Sequence, residues 1–208
     1  MDREDVGRLA LAVSLTAVAG CVDAIGFLRL GHLFVSFMSG DSTQSAVAVS
    51  RQRWDEAGHS AGIVALFVLG VIGGRVLSRA AGVWSRPVVL ATEAALLIIA
   101  VLIAPSTMMV VVMVLTMGAQ NAVVHRAGHA KMSLTYVTGT LVSFGESLVD
   151  AFGASRDEER WAWVPYLLLW LGLMAGAIVG ASTYAAFGVR ALLIPALSAA
   201  VLAGISVA

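Results

Sequence analysis

Charge is what this chain has least of. Asp, Glu, Lys and Arg make up 12% of its 208 residues, where a soluble domain carries about 25%. That shortfall argues against an ordinary water-soluble domain. Neither sign is in excess, because 13 Lys and Arg balance 13 Asp and Glu. Nothing therefore marks a nucleic-acid partner or a polybasic anchor. Cysteine is nearly absent, and a lone Cys21 excludes an intramolecular disulfide and a cysteine-based metal cluster. Val18-Ala19-Gly20-Cys21 is similar to a lipoprotein processing site. The segment before it, however, holds Asp2, Arg3, Glu4, Asp5 and Arg8 rather than the positive start of a signal peptide. Cys21 is read as a residue inside the first span. Catalytic signatures are missing too: there is no Gly-x-Ser-x-Gly elbow and no His-Glu-x-x-His pair. All four His lie near span ends, so neither an enzyme nor a bound cofactor is expected.

Apolar residues are what the chain has in quantity. They reach 59%, with a mean hydropathy of +0.90, in stretches of about 20 residues, enough to span a bilayer as a helix. The expectation is an all-α integral membrane protein whose constant partner is the lipid bilayer. Six segments read as spans: about 9–28, 60–78, 87–104, 107–125, 163–186 and 190–207. Two more, 33–50 and 132–153, are helical in pattern but rich in Ser, Thr and Gly; they either cross or enter and return. If they return, one side collects Arg3, Arg8, Arg75, Arg79, Arg86, Arg126, Lys131, Arg156 and Arg160, and the other keeps Arg29, Arg51, Arg53 and Arg190. That asymmetry obeys the positive-inside rule, and it disappears if both stretches cross. The reading is six spans in the cell membrane, both termini cytoplasmic, forming one membrane domain over 1–208.

The chain also repeats itself. Gly20, Asp23 and Ala24 align with Gly118, Asn121 and Ala122; Ser36 to Gly40 align with Thr135 to Gly139; Gly70, Gly74 and Gly82 align with Gly176, Gly180 and Gly188. One insertion near Ser155 to Trp161 accounts for the drift. The copies, about 10–104 and 107–207, hold three spans each, and an odd number makes the second copy upside down relative to the first. Each copy has a break, Ser39-Gly40-Asp41-Ser42-Thr43 and Thr138-Gly139-Thr140, where a glycine beside good N-cap residues starts a short half-helix. Paired breaks in two halves point to a binding site, or else to two interfacial loops. Gly70/Gly74 and Gly176/Gly180 are packing residues, serving either the monomer or a homo-oligomer.

The run Ala19 to Leu28, with Gly31, Phe34-Val35-Ser36 and Met38-Ser39-Gly40, resembles the YoaK family of bacterial membrane proteins of unassigned function. So do Gly118-Ala119-Gln120-Asn121-Ala122, Arg126, Gly128 and Thr135 to Thr140. The resemblance implies a fold and a compartment and supplies no substrate. Where that family usually has Asn after Met-Ser/Thr-Gly, this chain has Asp41. An acid there complements a half-helix dipole and disfavours an anion.

Asp23 is the most informative single residue. An acid inside a span faces a cavity or a partner: a solute, ion or proton site, or a structural group held by Arg75 or by helix-end amides. Gln120 and Asn121 either bind solute or join helices. With Gly40, Asp41, Thr138, Gly139 and Thr140 they make up the expected solute site. Glu93 has an apolar counterpart around Pro195 and is a proton-coupling candidate, or an inter-helix partner of an Arg. Glu146 and Asp150 share a helix face. His125 and His129 are four apart, but Gly128, Arg126 and Lys131 favour an interfacial turn over a metal site. Trp161, Trp163 and Tyr166 read as an aromatic anchor. The function expected is a secondary transporter of an unidentified small solute. A channel, which needs a continuous polar stripe, and a non-transporting accessory subunit are the alternatives.

Overall fold

Buried in lipid, a backbone must satisfy its own polar groups, and a single apolar segment can do so only as a helix. The computed structural model describes residues 3–31, 33–124, 137–153 and 160–206, and every regular element among them is helical. In chain order these are α1 (Arg3–Arg29), α2 (Met38–Ser50), α3 (Trp54–Ala80), α4 (Ser85–Leu102), α5 (Thr107–Val124), α6 (Val137–Gly153), α7 (Val164–Phe187) and α8 (Leu193–Ile205). Short 3-10 turns, Gly82–Trp84 and Gly188–Leu192, lead into α4 and α8. Gly31 (φ 66°) and Gly188 (φ 57°) adopt the left-handed backbone just beyond α1 and α7, a conformation that a side chain would resist.

Among the described residues four stretches are long and apolar enough to cross a membrane: Asp5–Arg29, Trp54–Ala80, Gly82–Leu102 and Val164–Ile205. The last is a 42-residue run containing both α7 and α8, and Thr107–Asn121 is apolar but shorter. Exposure points the same way. Val76, Leu197 and Ile178 are each more than 60% exposed, whereas Asp41, Glu93 and Asp23 are 4% exposed or less. A water-soluble domain would reverse that pattern, so this is a helical membrane protein with aliphatic side chains turned outward.

α1 lies along α7, and α3 lies along α5. α4 packs on α5 and α8, while α2 leans on α3 and α6 on α7. Glycine sets the two long contacts. Gly20 faces the Leu173 carbonyl and Ala177 amide of α7, and Gly118 faces the Phe67 carbonyl and Val71 amide of α3. Gly176 and Gly180 meet Ala17 and Cys21, as Gly70 and Gly74 meet Leu115 and Ala119. Close backbone approach of this kind is how small residues hold helices together in lipid. The main core includes Val22, Ile25, Leu97, Met113, Met117 and Leu192. Cys21 is buried within α1.

The two Ser/Thr/Gly-rich stretches form α2 and α6. At 13 residues, α2 is ~20 Å long, short of the ~30 Å hydrocarbon core. Its start differs from the sequence expectation. The helix begins at Met38, with Phe37 at the cap and no side-chain capping bond. Ser39 and Gly40 are therefore already inside the first turn, and the Phe37 carbonyl takes the Gly40 and Asp41 amides.

Candidate functional site

Chain reversal at Gly31 brings residues 33–36 back alongside the last turns of α1. Six residues before the end of that helix, Asp23 lies ~9 Å inside it. Its carboxylate is fully engaged. Oδ1 accepts the Val35 amide (2.9 Å) and the Ser36 amide (2.8 Å), and Oδ2 accepts the Ser36 hydroxyl. Of the two structural partners open in the sequence, the amides leading into α2 hold Asp23, and Arg75 does not. From the other side of the same loop Asp41, fully buried, accepts the Phe34 amide at 3.1 Å. Its Oδ2 has no partner among the described residues. The Phe34 ring covers Gly40 and packs against Phe27 and Phe37. Two acids on α1 and α2 thus pin one loop between them.

α5 carries the second polar group. Gln120 is fully buried, and its Nε2 donates to the Leu15 carbonyl of α1 at 3.2 Å, while Oε1 has no partner among the described residues. Asn121, also buried, donates to the Met117 carbonyl at 2.9 Å. On α4, Glu93 is 1% exposed, and neither carboxyl oxygen has a partner among the described residues.

The structure therefore joins Asp23, Gly40 and Asp41 through the 33–36 loop, and ties Gln120 to α1. It does not bring together the starts of the two short helices. Among the described residues α2 touches α3 but not α6, and α6 touches α7. Thr138 is exposed, and Gly139 and Thr140 are half-buried on α6. Glu146 and Asp150 are exposed on the same helix. Phe144 packs on Trp163 (centroids 6.2 Å apart), which packs on Trp161 in turn. The aromatic group at the entry to α7 thereby receives α6. His125, Arg126, Gly128, His129, Lys131, Thr135 and Tyr136 lie outside the described residues.

Cavities also open elsewhere among the described residues. One of about 470 Å³ lies between the end of α1, α3 and the start of α5, with Arg29, His59, Ser106 and Thr107 in its wall. Another, about 560 Å³, lies between α1, α7 and α8 and is mostly apolar. Neither the residues of the expected solute site nor Glu93 lines either one, although Cys21, Gly176 and Pro195 border the second. The partners that sequence reading missed are Phe34, Val35 and Ser36, which act through backbone amides and one hydroxyl. They were visible only as part of a family-like motif.

Buried acids and amides inside a lipid-facing helical bundle define a polytopic integral membrane protein with a closed polar interior. The family described as "Protein of unknown function (DUF1275)" matches residues 11–205, and the chain belongs to it. It is 36% identical over 207 residues to the UPF0700 transmembrane protein RA0705 of Rhizobium meliloti, covering 96% of this chain and 86% of that one. It is 30% identical over 151 residues to the UPF0700 transmembrane protein YoaK of Bacillus subtilis, covering 68% and 67% respectively. The YoaK-family resemblance in the sequence is thus correct. No solved structure matches.

Proposed function

We propose that the protein is a secondary transporter of a small solute in the cell membrane, built from two inverted three-span repeats with both termini cytoplasmic. The observation that carries this reading is an exchanged pair of contacts. The first helix of each half packs on the second long helix of the other: α1 on α7, and α5 on α3. Equivalent atoms meet in each pair, since Gly20 faces Leu173 and Ala177 while Gly118 faces Phe67 and Val71. Those are the positions at which the sequence repeats. A two-fold axis in the membrane plane generates such a pairing and is the symmetry of many alternating-access carriers.

On this reading α2 and α6 are re-entrant, and the Asp23 clamp fixes α2 in the closed state. Solute enters when one half rocks against the other and exposes Asp23, Asp41, Gln120 and Asn121. The test is thermal unfolding of the purified chain against pools of small metabolites, followed by uptake into proteoliposomes. A solute at 100 times its Kd stabilises a native-only binder by about 2.7 kcal/mol. A pool that raises the wild-type Tm is expected to contain a solute that accumulates inside vesicles. A ligand that stabilises the protein but never crosses would refute transport and favour the accessory role.

A further inference from the structure

Glu93 faces the bundle interior from the middle of α4, with both oxygens buried and unpartnered among the described residues. An ionised carboxylate without a donor, taken out of water, is among the least stable arrangements a protein interior can hold. Among the described residues no cation bonds it. Of the elements packed on α4, neither α8 nor residues 107–121 of α5 carries a titratable side chain. α3 carries Asp55, Glu56, His59, Arg75 and Arg79, the turn before α8 carries Arg190, and Arg86 is on α4 itself. None of these side chains bonds the Glu93 carboxyl. Helix packing does not require an acid there, since α8, the counterpart of α4, presents Pro195, Ala196, Ala199 and Ala203 as its buried face.

We propose that Glu93 is a proton-binding site in the membrane interior, neutral in this closed conformation and releasing its proton to water when the packing of α4 opens. A protonated carboxyl has one O–H to donate, and the interior holds an acceptor that lacks a donor among the described residues. Gln120 Oε1 is buried and unpartnered, and its amide nitrogen bonds the Leu15 carbonyl. Leu15 in turn clusters with Val89 and Leu90, the α4 turn just before Glu93. On opening, Glu93–COOH gives H⁺ to water and leaves a solvated carboxylate; on closing, the proton must return first. Transport would thereby be coupled to protons. That coupling rests on the transporter reading, whereas the protonation itself does not.

The experiment is infrared spectroscopy of the full-length protein in lipid vesicles at neutral pH, with no solute present. The expected result is a carbonyl band of a protonated acid that moves when glutamate carboxyls are 13C-labelled in the wild-type protein, and that is lost in Glu93→Gln. The isotope measurement needs no variant, so a misfolded Glu93→Gln would not obscure the outcome. Absence of any glutamate-derived acid band overturns the proposal, as does a band that survives in a folded Glu93→Gln. If the band is present and no solute is ever transported, the proton site stands and the transporter reading falls.

Discussion

Removing the Asp23 side chain should free the loop before α2 without unfolding the protein. In Asp23→Ala the Val35 and Ser36 amides, which sit 2.9 and 2.8 Å from Oδ1, lose that side-chain acceptor. Each buried orphan costs ~1–3 kcal/mol, so the loop is destabilised by ~2–6 kcal/mol in place. The same change removes a carboxylate from a span, which insertion scales put at about 2.5–3.5 kcal/mol. These terms nearly offset in global stability, and a melting curve alone would mislead. Local exposure separates them. A cysteine replacing Val35, which is fully buried, reports loop detachment through its rate of maleimide labelling, with buried Cys21 as internal control. In Asp23→Ala that rate should rise at least about 30-fold, the factor that 2 kcal/mol corresponds to. Asp23→Asn should differ. Its carbonyl oxygen still accepts both amides and its NH₂ can donate to the Ser36 hydroxyl, so labelling should stay within about tenfold of wild type. Under the transport reading, Asp23→Asn is then a folded protein without activity. Equal labelling of Val35→Cys in wild type and Asp23→Ala would refute the clamp. Full activity in Asp23→Asn would make Asp23 purely structural.

Other outcomes follow from the packing. At Gly74 an added Cβ would lie 2.6 Å from Ala119 Cα, and at Gly180 it would lie 2.9 Å from Cys21 Cα. Gly74→Ala and Gly180→Ala should each lower stability in detergent by about 1–3 kcal/mol, while Gly73→Ala, with open space around it, should not; equal losses at Gly73 and Gly74 would contradict the close approach. Cysteines at Arg53 and Arg156 should react with impermeant reagents from opposite sides of the membrane, and labelling from one side would end the six-span topology. An experimental structure should superpose 10–104 on 107–207 about an axis in the membrane plane, with Gly40 and Gly139 at matching positions.

Much of the architecture was legible because hydropathy and glycine spacing are local signals. Span boundaries such as 60–78 and 87–104 fall within or close to α3 and α4, since apolar runs of that length have only the helix available in lipid. The pairs Gly70/Gly74 and Gly176/Gly180 identified packing faces correctly, because only a missing side chain permits that approach. The start of α2 was less legible. Ser39 and Asp41 look like caps, yet the loop geometry set by Gly31 lets Asp41 reach back to the Phe34 amide instead. Asp23 was visible as an anomaly, an acid in a span, but its partners are backbone amides twelve and thirteen residues on, and no side-chain pattern announces an amide. Glu93 shows the opposite limit: an absence of partners cannot be read from sequence at all.

The two halves share their packing but not their chemistry, and that difference bears on how such a molecule would work. Every buried acid among the described residues, Asp23, Asp41 and Glu93, lies in the first half. Their counterparts in the proposed repeat are Asn121, Thr140 and the apolar buried face of α8. The described acids of the second half on α6, Glu146 and Asp150, are exposed. If acids were needed for helix association they would be expected in both halves of the proposed repeat, as the close contacts at Gly20/Gly118, Gly70/Gly176 and Gly74/Gly180 are. On the transporter reading, buried acids confined to the first half among the described residues would give two rocking halves unequal electrostatics: one conformation would hide three carboxyls from water, and the other would have to hydrate or neutralise them. On that reading the free energy separating the two conformations would depend on protons or cations reaching the first half, which is what coupling a symmetric motion to an ion gradient demands.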